Sequence, residues 1–225
     1  MSLPRKVLAV VFDMDGLLVD TETLFRDAMF ETAAAMGVEL TQEVFLQTVG
    51  MNLAQSQDIL RAHFGGQVSV DEFRELWLER FHALASAGVC LKTGVLELLD
   101  ELDAAGLPRA IATSSPHREV DRNLGPELKA RFQAVVARGD YPRGKPHPDP
   151  FLRAAEALGA DPAHCLALED SHNGVRAAHG AGMMTVMVPD LLKPTEEMHA
   201  LCVRIVQTLH EVPALIAAAS SKEPA

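Results

Sequence analysis

The chain has 225 residues, 48% of them hydrophobic and 23% charged, with a formal net charge of −11. An acidic chain without a Lys/Arg cluster is poorly suited to nucleic acid, and no apolar run approaches the roughly 20 residues that cross a bilayer, so neither is expected as a partner. The opening MSLPRK leads straight into an apolar run with no small-residue cleavage site, so no signal peptide is read and the cytoplasm is the expected compartment.

The first element in chain order is Val7 to Phe12, a continuous apolar run rich in β-branched residues. Such a run suits a strand buried on both faces, as in a parallel sheet. Similar runs recur at Ala110 to Thr113, Ala134 to Ala137, Cys165 to Leu168 and Met184 to Val188. Between them lie helical patterns. GVLELLDELDAAG carries Leu96, Leu99 and Leu102 and stops at Gly106; PDPFLRAAEALG carries Phe151, Ala155 and Leu158 and stops at Gly159; NGVRAAHGAG is a shorter helix. Strands alternating with helices predict an α/β fold with a parallel sheet.

The segment from about Thr21 to Gly88 reads differently. Leu24 with Ala28, and Phe25 with Met29, recur at helical spacing; LAQSQDILRAHFGG is a helix with a Gly-Gly stop; Ser69 and Glu72 form a capping-box pattern before FRELWLERFHAL. Trp77, with Phe73 and Phe81, is expected in the core of this block. With no strand signal, residues 20–88 are expected as an inserted helical domain, and residues 1–19 and 89–225 as the core domain. Cys90, Cys165 and Cys202 form no C-x-x-C pair, and each is expected as a small buried hydrophobe.

Ligands of an open α/β sheet bind beyond the carboxyl ends of the strands. The segments in those places are DMDG (Asp13, Asp15), TSSP (Thr113, Ser114), GKPHPDP (Lys145) and EDSHNG (Glu169, Asp170). Each alone has a bland reading: DMDG as a turn, TSSP as a helix N-cap, Lys145 as a solvated lysine, ED as a surface pair. Together they put several carboxylates and one lysine on one edge. A phosphate monoester brings about two more negative charges, so it requires a divalent cation, and Mg²⁺ suits hard oxygen donors. Asp13 is then the candidate nucleophile and Asp15 the acid and base. Asp170 is a candidate metal ligand with Glu169 supporting it. Thr113, Lys145 and the Ser114 N–H hold the transferring oxygens. Glu22, Gly50, Asn52 and Gln55 are candidate substrate contacts, each with a plain helix-end or solvated reading beside it.

FDMDGLLVDTE, ATSSP, GKPHPDPF and LEDSHNGVRAA, in this order from about Val7 to His210, resemble the motifs of the haloacid dehalogenase superfamily, within it the β-phosphoglucomutase-like phosphatases. The resemblance implies a Rossmann-like core with an all-helical cap, Mg²⁺ and an aspartyl-phosphate mechanism. It implies Asp13 as nucleophile and Asp15 as acid/base that also offers the metal its backbone. It further implies Thr113 and Lys145 at the phosphate and Asp170 on the metal, so that Asp13, Asp15, Glu169 and Asp170 form the expected metal environment. Mutases of this group carry a histidine in the helix after the first motif, near the place of Phe25 in TETLFRDAM, and a cap arginine that TVGMNLAQSQ lacks. ATSS and AGMMTVMVPD resemble pseudouridine-5′-phosphatase-type members. The expected activity is hydrolysis of a small phosphorylated metabolite, a sugar phosphate or nucleoside monophosphate. A phosphomutase and a non-catalytic phosphoryl-binding module are the alternatives. A monomer is expected, with a dimer as the alternative.

Overall fold

The computed structural model describes residues 3–51, 53–86 and 88–220. Packing divides the chain into two compact units: one runs up to Val19 and resumes at Leu91, and the other is Asp20–Cys90.

The Asp20–Cys90 unit is helical: α1 Thr21–Ala35, α2 Gln42–Thr48, α3 Leu53–Phe64 and α4 Val70–Ser86. Local chemistry sets the ends. The Thr41 hydroxyl accepts from the Val44 N–H ahead of α2, and the Ser69 hydroxyl accepts from the Glu72 N–H at 3.3 Å ahead of α4. Its aromatic core stacks Phe25 on Phe81 at 3.8 Å and sets Trp77 edge-on to Phe25 at 5.3 Å. The single tryptophan is thus spent on packing.

The other unit is built on six parallel strands, β1 Ala9–Phe12, β2 Arg109–Ala112, β3 Ala134–Val136, β4 Cys165–Glu169, β5 Met184–Met187 and β6 Arg204–Ile205. Their order is β3-β2-β1-β4-β5-β6. The helices α5 Val95–Ala104, α6 His117–Lys129, α7 Asp149–Leu158, α8 His172–Gly180, α9 Glu196–Leu201 and α10 Val212–Ser220 connect and cover them. Alternation along β1 sorts the two faces. Ala9 and Val11 join Phe151, Ala154 and Ala155 of α7 and Ala177 and Ala178 of α8 in one buried cluster. Phe12 faces the other way and meets Phe132 edge-on at 5.6 Å.

Two expectations are corrected and one strand is added. The buried face of α5 is Val95, Leu98, Leu99 and Leu102, while Leu96 is 48% exposed, because the helix phase is set by three adjacent turns and not by Leu96. Cys90 is exposed and Cys202 half-buried; only Cys165, inside β4, is a buried hydrophobe. The TSSP segment does lead into a helix: α6 begins at His117 with Pro116 as its N-cap and no side-chain cap hydrogen bond. A sixth strand, β6, was not expected from the sequence. Among the described residues no helix is long and apolar enough to cross a membrane.

Candidate active site

β1 pairs with β2 on one side and with β4 on the other, and the chain changes direction between them: it runs from β1 to β2 and β3, then crosses back to β4. A crevice therefore opens at the carboxyl ends of β1 and β4, the place where such sheets take ligands. Asp13 leaves β1 there, its N–H donating to Leu168 O at 3.0 Å. Glu169 is the last residue of β4, and Asp170 follows it.

Lys145 reaches this crevice from the loop behind β3, where the Lys145–Pro146 peptide is cis. Its ammonium donates to Asp13 Oδ1 at 2.5 Å and to Glu169 Oε1 at 2.5 Å, and lies 5.1 Å from the centre of the Phe151 ring. All three charged side chains are at least nine-tenths buried, with exposures of 6% for Lys145, 8% for Asp13 and 0% for Glu169. Burial pushes the Asp13 carboxyl up to about 8; Lys145 pulls it back, and Glu169 and Asp15 push it higher. Burial also disfavours the Lys145 ammonium, yet Asp13 and Glu169 outweigh it and raise the amine above its ordinary value. These tendencies compete for one proton. A cation between two carboxyls keeps its charge most readily, so the arrangement favours an ammonium at Lys145.

Glu169 is committed on both oxygens. Oε2 accepts from the Asp170 N–H at 3.0 Å, the Ser171 N–H at 3.1 Å and the Ser171 hydroxyl at 3.0 Å. It therefore orients Lys145 and the Asp170 turn together. Gly174, in the first turn of α8, makes room for it: a Cβ there would overlap the Glu169 carboxyl.

Asp15 has a different environment. Its Oδ2 accepts from the Ser115 hydroxyl at 2.7 Å and from the Thr113 hydroxyl at 3.3 Å. Thr113 Oγ1 in turn accepts from the Ser115 N–H at 3.0 Å, and the Tyr141 hydroxyl donates to Thr113 O at 2.9 Å. Two adjacent acids of the DMDG turn are thus sorted: Asp13 onto an ammonium, Asp15 onto hydroxyls.

Oxygens of Asp13, Glu169 and Asp170 all lie within 4.8 Å of one another, and the residues are buried. This set of hard, anionic donors fits Mg²⁺ better than a softer metal that favours nitrogen or sulfur. The Asp15 side chain is not part of the group. Gly16, at φ 82, completes the turn, and a Cβ on it would overlap Asp170.

Asp13, Asp15, Thr113, Lys145, Glu169 and Asp170 are therefore brought together; Ser114, whose N–H is the expected contact, follows Thr113 directly in the same loop. Glu22 lies in the opening turn of α1 and Gly50 behind α2 at φ 70, both in the helical unit; Asn52 lies outside the described residues. Sequence reasoning missed Ser115 and Tyr141. TSSP offered a signal for the former, since a hydroxyl two residues beyond Thr113 can return to the same loop.

Comparison with known proteins points the same way. Hexitol phosphatase B of Escherichia coli (strain K12) is 35% identical over 193 residues, covering 84% of this chain and 86% of that protein. Among solved structures, a HAD family hydrolase from Deinococcus radiodurans with bound phosphate and sodium superposes with a TM-score of 0.81 at 28% identity, covering 97% and 99% of the two chains. CbbY from Rhodobacter sphaeroides in complex with phosphate superposes with a TM-score of 0.73 at 29% identity, covering 92% and 96%. Residues 10–188 match the family model of haloacid dehalogenase-like hydrolases, and the chain belongs to that family.

Proposed function

We propose that the protein is a magnesium-dependent phosphatase that hydrolyses a small phosphorylated metabolite, of the sugar-phosphate or nucleoside-monophosphate kind, through an aspartyl phosphate on Asp13. The observation that carries this reading is the buried Asp13–Lys145–Glu169 arrangement at the sheet's switch point, with Asp170 beside it. The hexitol phosphatase among the relatives, and the phosphate in two related structures, support a phosphoryl group as ligand.

In this reading an Asp13 carboxylate oxygen attacks phosphorus, the P–O bond to the leaving group breaks, and Asp15 delivers its proton to the departing alkoxide. Water then attacks the aspartyl phosphate while Asp15 takes a proton from it, releasing inorganic phosphate and restoring the Asp13 carboxylate. Lys145 offers its ammonium to the transferring oxygens, as does the Thr113 hydroxyl. Ser115, whose hydroxyl donates to Asp15 Oδ2 at 2.7 Å, holds Asp15 while the one Thr113 hydroxyl proton turns from Asp15 to the phosphate. Mg²⁺, held by Asp13 and Asp170, would neutralise phosphate charge that one lysine cannot offset. Glu169 acts on the site through Lys145 and the Asp170 turn.

A phosphate-release screen over sugar phosphates, nucleoside monophosphates and small acid phosphates tests the reading. Hydrolysis of at least one class is expected with Mg²⁺ and not with EDTA. Equal release in EDTA, or none from any class, would contradict it.

A further inference from the structure

Asp190 follows β5 at the same edge of the sheet and takes no part in the site described so far. Its Oδ1 accepts from the Lys92 ammonium at 2.7 Å, with the Asp190 side chain 14% exposed. Its Oδ2 is buried and, among the described residues, has no hydrogen-bond partner. The direction of that oxygen is given by Gly16. The point where a Cβ would stand on Gly16 is overlapped by Asp170 Oδ2 and lies 3.5 Å from Asp190 Oδ2. Both carboxylates therefore converge over one glycine of the DMDG turn. Lys92 is itself anchored, its N–H donating to Leu18 O at 3.0 Å.

A buried carboxylate oxygen left without a donor is costly, and it borders a carboxylate proposed to hold the metal. Magnesium gives up its hydration water reluctantly and usually keeps several molecules. We propose that Asp190 is a positioning residue of the magnesium site: its Oδ2 accepts a hydrogen bond from the ion's hydration water, while Lys92 fixes the carboxylate by its other oxygen. The glycine at position 16 is then needed for the space that the Asp170 carboxylate fills, with Asp190 in ordinary contact beside it, as well as for its positive φ. This inference rests on the proposed magnesium-dependent function.

Isothermal titration calorimetry with MgCl₂ on the full chain tests it, with melting in EDTA as the check on folding. D170N should lose detectable binding. D190N should keep the wild-type melting temperature in EDTA and bind Mg²⁺ about tenfold more weakly, the usual scale for a partner that orients the metal's immediate surroundings. K92M separates positioning from simple charge. Removing a cation should tighten Mg²⁺ binding by electrostatics alone, whereas loss of the Asp190 anchor should weaken it. Weaker binding by both variants supports the assignment. D190N binding within twofold of wild type, or K92M binding more tightly, overturns it while leaving the phosphatase reading intact. If D190N does not fold, K92M decides. Wild-type protein that binds no Mg²⁺ sinks the parent reading and this inference with it.

Discussion

At Asp13 the metal-free protein keeps a carboxyl whose charged form is disfavoured by burial and by its acidic neighbours. The consequence for stability has a definite sign. Asp13 titrates near 3.8 in an unfolded chain and near 8 in the folded one. Between those values the native state holds a proton that the unfolded state has released, so Asp13 makes stability fall as pH rises through this window. Asp13→Asn removes that titration, and Glu169 still pairs Lys145. In EDTA, the wild-type melting temperature should therefore fall relative to Asp13→Asn between about pH 5 and pH 8, with the variant the more stable at the upper end. Mg²⁺ should reduce the difference, because binding to a carboxylate displaces the proton. Parallel melting curves for the two proteins in EDTA would show that Asp13 is not perturbed. Asp15, two residues on, has a different environment because hydroxyls meet it.

Among the elements, α8 contributes most by what it omits. Its N-cap Ser171 accepts from the Gly174 N–H at 3.1 Å and donates to Glu169, and the glycine leaves the volume that the Glu169 carboxyl fills. Gly174→Ala would favour the helix by propensity alone, by about 1 kcal/mol. Here the Cβ must displace a fully buried carboxyl with four donors around it, and overpacking of this kind costs about 1–3 kcal/mol. Net of the helical gain this leaves a cost of up to about 2 kcal/mol, so the expected result is a melting temperature lowered by up to about 8 °C, together with a loss of activity as Lys145 loses its second anchor. A variant as stable and active as wild type would mean that Glu169 has freedom the packing does not suggest. The strands show what a sequence makes legible. β1, β2, β4 and β5 are wholly buried and each is marked by an apolar stretch, although Arg109 opens β2, Glu169 closes β4 and Thr185 lies within β5. β6 has two half-buried residues, too few for any pattern. Inside α6 the Gly125–Pro126 pair interrupts the helix at φ 65, which hides its stripe.

On the scale of the whole molecule, one topological fact places the chemistry. The chain steps from β1 to β2 and β3 on one side, then crosses back from β3 to β4 on the other side of β1, so the carboxyl ends of β1 and β4 are not covered by a connection between them. The residues at those ends could be named from the sequence because each motif follows an apolar run directly. Strand order could not be read, since it depends on which way each crossover turns. Tyr141, Asp190 and the meeting of Ser115 with Asp15 could not be read either: a hydroxyl or carboxylate gains its meaning only when a loop distant in sequence arrives beside it. Asp15 and Ser115 are 100 positions apart, and Lys92 and Asp190 are 98. The direct test of the covalent reading is phosphate release by Asp13→Asn, at saturating Mg²⁺ and with the best substrate class from the screen. A loss of at least about 1,000-fold with wild-type circular dichroism is expected, because no other carboxylate in the crevice stands in for the nucleophile. Hydrolysis within tenfold of wild type would contradict an aspartyl phosphate on Asp13.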